Sequence, residues 1–309
     1  MDVRQIKNII TIEEEKSISR AAEKLYMTQS ALNQQLLRLE RELGVALFNR
    51  GSRSLTPTYA GRVYLDAARK MLDIRNETYK ILHDISNVKR GEIAITYTPE
   101  RGSRMFSAVY PKFHAMYPEM TFKIYEARVK RMEQLLERHE VSIAFLAYTD
   151  KDPRFDYIDM QKEQMVLGIP ANHPLAHLAG ERSWERLPKI NLRLLENDYF
   201  VLITHETLMR DMCDKAFSLA GFKPNVLFES TSTITVVNMV RNQVAPAFFP
   251  QSYVDPEAPI MYFSIDPPFE WTLTATTYKG AYLNRAERDF IELTRIYHFQ
   301  EGKYSGNNA

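Results

Sequence analysis

The side chains able to do chemistry gather first between positions 28 and 41. Ser30, Asn33, Gln34, Leu37 and Arg41 recur at the spacing of one helix face, with Thr28 and Gln29 at its start and Arg38 at its flank. Amides and hydroxyls on a short exposed helix suit the major groove of a DNA duplex. Asn and Gln bond adenine edges in bidentate fashion, Ser bonds several bases, and Arg reaches phosphate or guanine. Leu37 can touch a thymine methyl. Arg50 and Arg53 follow in the basic stretch from Asn49 to Pro57, a type of turn that meets phosphate or the minor groove. The motifs of other chemistries are missing from the sequence: there is no GxxxxGK[ST], GxGxxG, HExxH or GxSxG. The lone Cys213 rules out an internal disulfide or a cysteine metal cluster, and it reads as a buried thiol. The 7 histidines are scattered, and Pro174 separates His173 from His177, so both read as loop residues. No enzyme, no cofactor and no metal is expected.

The elements that must hold the 28–41 face are three short helices within residues 2–50. Ile6, Ile9 and Ile10 stripe the first helix. Ser17 or Ser19 caps the second, which carries Ile18, Ala21, Ala22 and Leu25 at 3-4-3 spacing. Thr28 caps the third helix, and Met27 and Leu32 stand as a hydrophobic staple across its start. Leu32, Leu36, Leu39 and Leu43 are expected to face the core, and Gly44 ends the helix in a left-handed turn. Spacing alone also admits a plain three-helix domain with a solvated polar face. The apolar strand Val45–Phe48, the basic turn and a second strand then make a wing, which favours the DNA reading.

Several segments in this order resemble the DNA-binding module of the LysR-type transcriptional regulators. They are Ser17-Ile18-Ser19-Arg20-Ala21-Ala22, Thr28-Gln29-Ser30-Ala31, Leu39-Glu40-Arg41-Glu42-Leu43-Gly44, Leu47-Phe48-Asn49-Arg50 and Leu55-Thr56-Pro57-Thr58-Tyr59-Ala60-Gly61. The resemblance implies a winged helix-turn-helix that binds double-stranded DNA through Thr28, Gln29, Ser30, Asn33, Gln34, Arg38, Arg50 and Arg53. The family usually has Ser or Thr at Asn33 and often a basic residue at Gln34 and at Leu37. Those departures bear on which operator is read, not on the fold.

From Ala60 to Val88 apolar positions alternate at 4-3 spacing: Tyr64, Ala67, Met71, Ile74, Thr78, Ile81 and Ile85 form a heptad seam flanked by charge. A helix that pairs with a second chain through this seam is predicted. The other reading is an amphipathic helix lying on its own domain. Pairing would fix two recognition helices about one DNA turn, or a multiple, apart. In the resembling family this helix is the dimerisation element and four chains commonly assemble, so a homodimer or homotetramer is implied.

After Gly91 the pattern changes to alternating strands and helices. Strands are predicted at 93–97, 120–125, 141–147, 164–169, 199–203, 226–228, 245–250 and 271–278. Helices are predicted at 103–117 (kinked or divided at Pro111), 132–139, 206–219, 234–241 and 285–297. Strand–helix–strand order implies parallel pairing with right-handed crossovers. The resemblance adds the architecture: an α/β two-lobed, periplasmic-binding-protein-like effector domain. The expected organisation is 1–58 winged helix-turn-helix, 59–89 linker helix and 90–300 effector domain. Within that domain, lobe one is 90–163 and 267–300, lobe two is 164–266, and 301–309 is a disordered tail.

In such folds a small-molecule effector binds between the lobes, at strand ends and helix N-termini. The corresponding residues are Thr98, Pro99, Arg101 and Ser103, then Thr204 and His205, then Ser230, Thr231 and Ser232. Hydroxyls beside helix N-termini suit a carboxylate, with Arg101 as its partner. They equally suit ordinary helix caps. The family's usual glycines near His139-Glu140 and in Asn242-Gln243-Val244-Ala245-Pro246 are replaced, so a cleft narrowed by larger side chains, without an inducer, is the alternative.

Composition agrees with a basic DNA module joined to a neutral partner. The chain has 309 residues and formal net charge +1, with 16 Lys and Arg against 11 Asp and Glu in residues 1–90 and 24 against 28 in the rest. No apolar run long enough for a membrane helix is present and residues 1–7 lack a secretion signal, so a cytoplasmic address is expected. For a regulator of this kind RNA polymerase is a further partner to consider.

Overall fold

The computed structural model describes residues 2–49, 55–86, 90–179 and 187–304, which divide into two compact units, Met1–Asn87 and Val88–Ala309.

In the first unit α1 (Val3–Glu15), α2 (Ile18–Lys24) and α3 (Gln29–Leu43) precede a two-residue strand β1 (Phe48–Asn49). This strand pairs antiparallel with β2 (Thr56–Pro57), and α4 (Tyr59–Ile85) follows. The local chemistry dictates these boundaries. The side chains of Ser17 and Thr28 accept from Arg20 N and Ala31 N, and Gly44 closes α3 with φ 71°. Ile6, Ile9, Ile12, Ala21, Ala22, Leu32, Leu36 and Leu39 form the core, and Leu47, Phe48, Tyr64, Leu65 and Ala68 complete it. Asn8, buried among them, donates to Gln35 Oε1 at 2.6 Å and ties α1 to α3. Arg69 and Glu13, both mostly buried, meet at 2.9 Å and tie α4 to α1.

Two expectations are corrected here. Leu43 does not face the core but is 45% exposed, and the packed stripe of α3 ends at Leu39. The first wing strand is shorter than Val45–Phe48, and Val45 is exposed.

The second unit begins with β3 (Arg90–Tyr97), α5 (Arg101–Met116), β4 (Glu119–Glu126), α6 (Val129–Glu137) and β5 (Ile143–Tyr148). Then come β6 (Phe155–Pro170), β7 (Tyr199–Ile203), α7 (Leu208–Ala220), β8 (Asn225–Ser230), α8 (Thr233–Arg241), β9 (Ala247–Pro250), β10 (Ile260–Phe263), β11 (Glu270–Tyr278) and α9 (Arg285–Tyr304). Helix α5 passes through Pro111 without a break, which corrects the expected interruption. Contacts of Phe106 and Phe113 with Phe122 and Phe290 hold the helix in place against the lost hydrogen bond. Helix α9 extends through Tyr304, four residues into the stretch read as a disordered tail, while 305–309 lie outside the described residues.

Pairing is mixed rather than wholly parallel. β3 runs parallel to β4 and β5, and β7 to β8, whereas β11 pairs antiparallel with both β5 and β6. The strand β10 was not foreseen; it pairs with the outer half of β6, which also holds β9. The long β6 is the crossing strand. Its residues 155–164 pair with β11 in lobe one, and its residues 165–170 pair with β9 and β10 in lobe two. Lobe one packs around Ile93, Ile95, Phe113 and Phe290, and lobe two around Leu167, Phe200, Phe217 and Phe248.

Candidate functional site

The first site is the outward face of α3. Leu32, Leu36 and Leu39 are fully buried, so the helix turns Gln29, Ser30, Gln34 and Arg38 to solvent, with Asn33 half-buried beside them. Gln29, Asn33 and Gln34 make no side-chain hydrogen bond among the described residues. Thr28 is committed as the cap, with Ser30 Oγ 3.2 Å from its hydroxyl. Arg38 meets Glu42 at 3.0 Å on the open surface, a pair too exposed to hold it against a phosphate. Arg50 and Arg53 lie outside the described residues.

Three contributors were not singled out in advance. Tyr26, at φ 52° in the tight turn before α3, is 98% exposed beside the helix start. Glu40 accepts from Leu47 N at 2.8 Å and Phe48 N at 3.3 Å and so anchors the base of the wing. Gly61 is required by close approach, since a Cβ there would collide with the Leu47 carbonyl oxygen. Only the Gly61 requirement had a local signal, its place just after the helix-starting Thr58-Tyr59-Ala60.

The seam of α4 divides in two. Tyr64 packs in the chain's own core, only 8% exposed, and is therefore not part of a free face. Ala67, Met71, Ile74, Thr78, Ile81 and Ile85 are exposed, with Ile74 at 66% and Ile85 at 73%. The Thr78 hydroxyl is turned back to the Ile74 carbonyl at 2.7 Å.

The second site is a cleft of about 1170 Å³ between the lobes of the second unit. Thr98, Pro99, Arg101, Thr204 and Thr231 line it, whereas Ser103, His205, Ser230 and Ser232 do not. Each of the excluded four has a local duty. Ser103 donates to Glu126, Ser230 Oγ accepts from Ser232 N, and Ser232 caps α8 by accepting from Thr235 N. The His205 side chain is exposed, 2.9 Å from Arg210.

Arg101 is not free for a ligand carboxylate. It pairs with Glu163, whose side chain is buried where β6 crosses between lobes. Glu163 also accepts from Trp271 Nε1 at 3.0 Å and Ser252 N at 3.1 Å. Burial works to raise the Glu163 carboxyl, but the Arg101 guanidinium and the Ser252 hydrogen bonds outweigh it and hold the group below the usual carboxylate range. His298 is buried at the cleft floor, and desolvation, aided by Arg101, pushes its ring down to about 4.

The replaced glycines do not obstruct the cleft. His139 and Gln243 adopt the left-handed φ values of 53° and 62° themselves, past the ends of α6 and α8. The Gln243 amide donates to the Pro259 carbonyl at 2.7 Å, which holds its turn in place. Cys213 is buried against Met165, and burial pushes its thiol well above the ordinary value, so it is a poor source of thiolate. Among the described residues no helix is long and apolar enough to cross a membrane.

Two family descriptions match the chain. Residues 3–62 match the bacterial regulatory helix-turn-helix protein, lysR family, and residues 86–297 match the LysR substrate binding domain. A relative from Bacillus subtilis (strain 168), the uncharacterized HTH-type transcriptional regulator YcgK, is 26% identical, with 96% of this chain and 94% of the relative covered. Two solved structures share the fold. A full-length OxyR variant from Pseudomonas aeruginosa has TM-score 0.69 at 21% identity, covering 96% of this chain and 98% of that one. Full-length CbnR complexed with its target DNA has TM-score 0.58 at 18% identity, covering 96% and 99%.

Proposed function

This chain belongs to the LysR family of DNA-binding transcriptional regulators, and from that premise we propose that it reads a specific operator through α3 and that a small-molecule effector in the lobe cleft modulates the reading. The observation that carries this is the leucine-backed α3, whose outer face leaves Gln29, Asn33 and Gln34 without partners while everything behind it is packed. Amide groups in that state can form bidentate bonds with adenine edges at little cost in broken protein contacts. Arg38 adds backbone contact, as do Arg50 and Arg53 from the wing. The exposed seam positions of α4 from Ala67 to Ile85 take a second copy of the chain, which makes a homodimer or, with further contacts, a homotetramer.

The cleft supports the sensing half of the reading. It has room for a metabolite, and its walls combine apolar side chains such as Phe145, Met209 and Trp271 with the hydroxyls of Thr98 and Thr207. Effector binding shifts the regulator only by the difference in affinity between its two arrangements. The test is to map DNA bound by the full-length protein and to screen metabolites by thermal shift. An operator bound well above random duplex, with a metabolite that both raises Tm and alters operator affinity, is the expected result. Protein that ignores all duplex DNA at moderate salt while its first unit is folded would overturn the proposal.

A further inference from the structure

Glu100 belongs to lobe one, immediately before α5, yet its carboxylate reaches across the cleft to lobe two. Its Oε2 accepts from Thr233 N at 3.1 Å and from Ile234 N at 3.3 Å, the first amides of α8. Ser232 takes the next amide, Thr235 N, at 3.1 Å. The start of α8 is therefore saturated, and its charged acceptor comes from a residue 133 positions away in sequence. A helix N-terminus carries partial positive charge, and a carboxylate there makes hydrogen bonds stronger than neutral ones. Glu100 holds this place with φ 62° and ψ −71°, a backbone region that a side-chain-bearing residue enters only when tertiary contacts dictate it.

A second bridge runs from the same lobe. Arg128, just before α6, donates to the His205 carbonyl at 3.2 Å, to Glu206 at 3.1 Å and to Thr204 Oγ1 at 3.4 Å. Arg128 is 45% exposed and Glu206 85%, so solvent screens this rim pair and it contributes little. Glu100 is the stronger of the two ties.

We infer that Glu100 is a tethered carboxylate that latches the lobes together without effector and bars free carboxylates from the α8 amides. This rests on the reading of the cleft as an effector site and adds its selectivity. A group tethered nearby competes as though present at millimolar concentration or above. A free carboxylate must exceed that before it occupies the α8 start. The effector so selected is one held by the apolar and hydroxyl lining, with an uncharged end toward α8.

The experiment uses full-length protein and no effector. Amide exchange of α8 and thermal melting are compared for the wild type and Glu100→Ala, in sodium acetate and in sodium chloride of equal ionic strength. In Glu100→Ala, exchange at Thr233 and Ile234 is expected to quicken about tenfold or more. Acetate, but not chloride, restores the slow exchange and raises Tm in the variant, and it leaves the wild type unchanged. Unaltered exchange in the variant, or an equal acetate effect on both proteins, overturns the inference. Glu100→Gln keeps an oxygen acceptor without the charge, so an intermediate rate is expected and a wild-type rate overturns the inference as well. Should Glu100→Ala not fold, Glu100→Gln decides. A metabolite screen that finds nothing would sink the sensing proposal while leaving acetate rescue, and so the hold of the Glu100 carboxylate on the α8 amides, standing.

Discussion

Helix α3 and the lobe cleft present their polar groups in opposite ways. On α3 the side-chain amides of Gln29 and Gln34 are exposed and make no hydrogen bond among the described residues, so water serves them. In the cleft the groups best suited to a ligand are already engaged by the protein. Arg101 is on Glu163 and Glu100 is on the α8 amides. Solvation explains the contrast. An exposed amide loses nothing while it waits, whereas a charge inside a partly dry cleft costs several kcal/mol unless paired. On the proposed reading, a partner meets in the first region what is left bare, and in the second what has to be displaced.

The largest test of that contrast is on α4, which extends the bare class to apolar side chains. Ile74→Asp puts a charge into the exposed seam proposed to pair with a second chain. The protein is expected to become monomeric by light scattering, and operator affinity to fall about a thousandfold as the second half-site contact is lost. An unchanged oligomer would remove α4 from the account of assembly. The next effect belongs to the engaged class. Arg101→Ala leaves Glu163 buried without its guanidinium, and a broken buried pair costs about 3–5 kcal/mol. Denaturant melting of the second unit reads this directly. Arg101→Met combined with Glu163→Leu is expected to recover most of the loss, because neither charge then remains to be solvated. If Arg101→Ala instead melted like wild type, Arg101 would be free for ligand after all and the contrast would fail.

A smaller effect separates base reading from backbone attraction. Gln34→Ala is expected to cost about 1–3 kcal/mol on the operator and almost nothing on random duplex, measured side by side at one salt concentration. Equal losses on both would mean that the outer face of α3 is not what reads sequence.

The two regions also differ in how far they were legible. On α3, the exposed face follows from period: Leu32, Leu36 and Leu39 fix the buried side, and the amides opposite them follow within one turn. The caps Ser17, Thr28 and Gly44 are equally local. Leu43 failed because periodicity marks a face but not how far along the helix that face stays covered. Tyr64 failed because the same seam serves the chain's own core for its first turns and is bare beyond them. In the second unit, strand and helix order was readable, but β10 and the antiparallel pairings were not, since β6 and β11 meet through residues about a hundred positions apart. The cleft was the least legible. Thr98, Pro99, Arg101, Thr204 and Thr231 do line the cleft, yet Glu100, Arg128 and Glu163 act through contacts 62 to 134 residues away in sequence. No local pattern marks a carboxylate as the partner of a distant helix start.

The smallest expected effect concerns protons, and its sign should differ between the units. Asp73 on α4 is pushed up to about 6, first by desolvation and further by Glu77, against the opposing pull of Arg69. Between about pH 4 and 6 the folded unit keeps a proton that the unfolded chain sheds, so this group's contribution to stability declines as pH rises through that window. His298 is pushed down to about 4 by burial. Between about pH 6.5 and 4 the unfolded chain gains a proton that the folded unit refuses, so its contribution declines as pH falls. Asp73→Asn should therefore stabilise the first unit by about 1–2 kcal/mol at pH 7, after allowance for solvent screening, and leave it unchanged near pH 4. Replacing His298 with Gln should flatten the acid loss of the second unit. Segment-resolved amide exchange across this range follows the two units separately. If both variants moved the pH profile in the same direction, desolvation would not be the common cause, and the packed side of α4 and the cleft floor would have to differ in something other than how they exclude water.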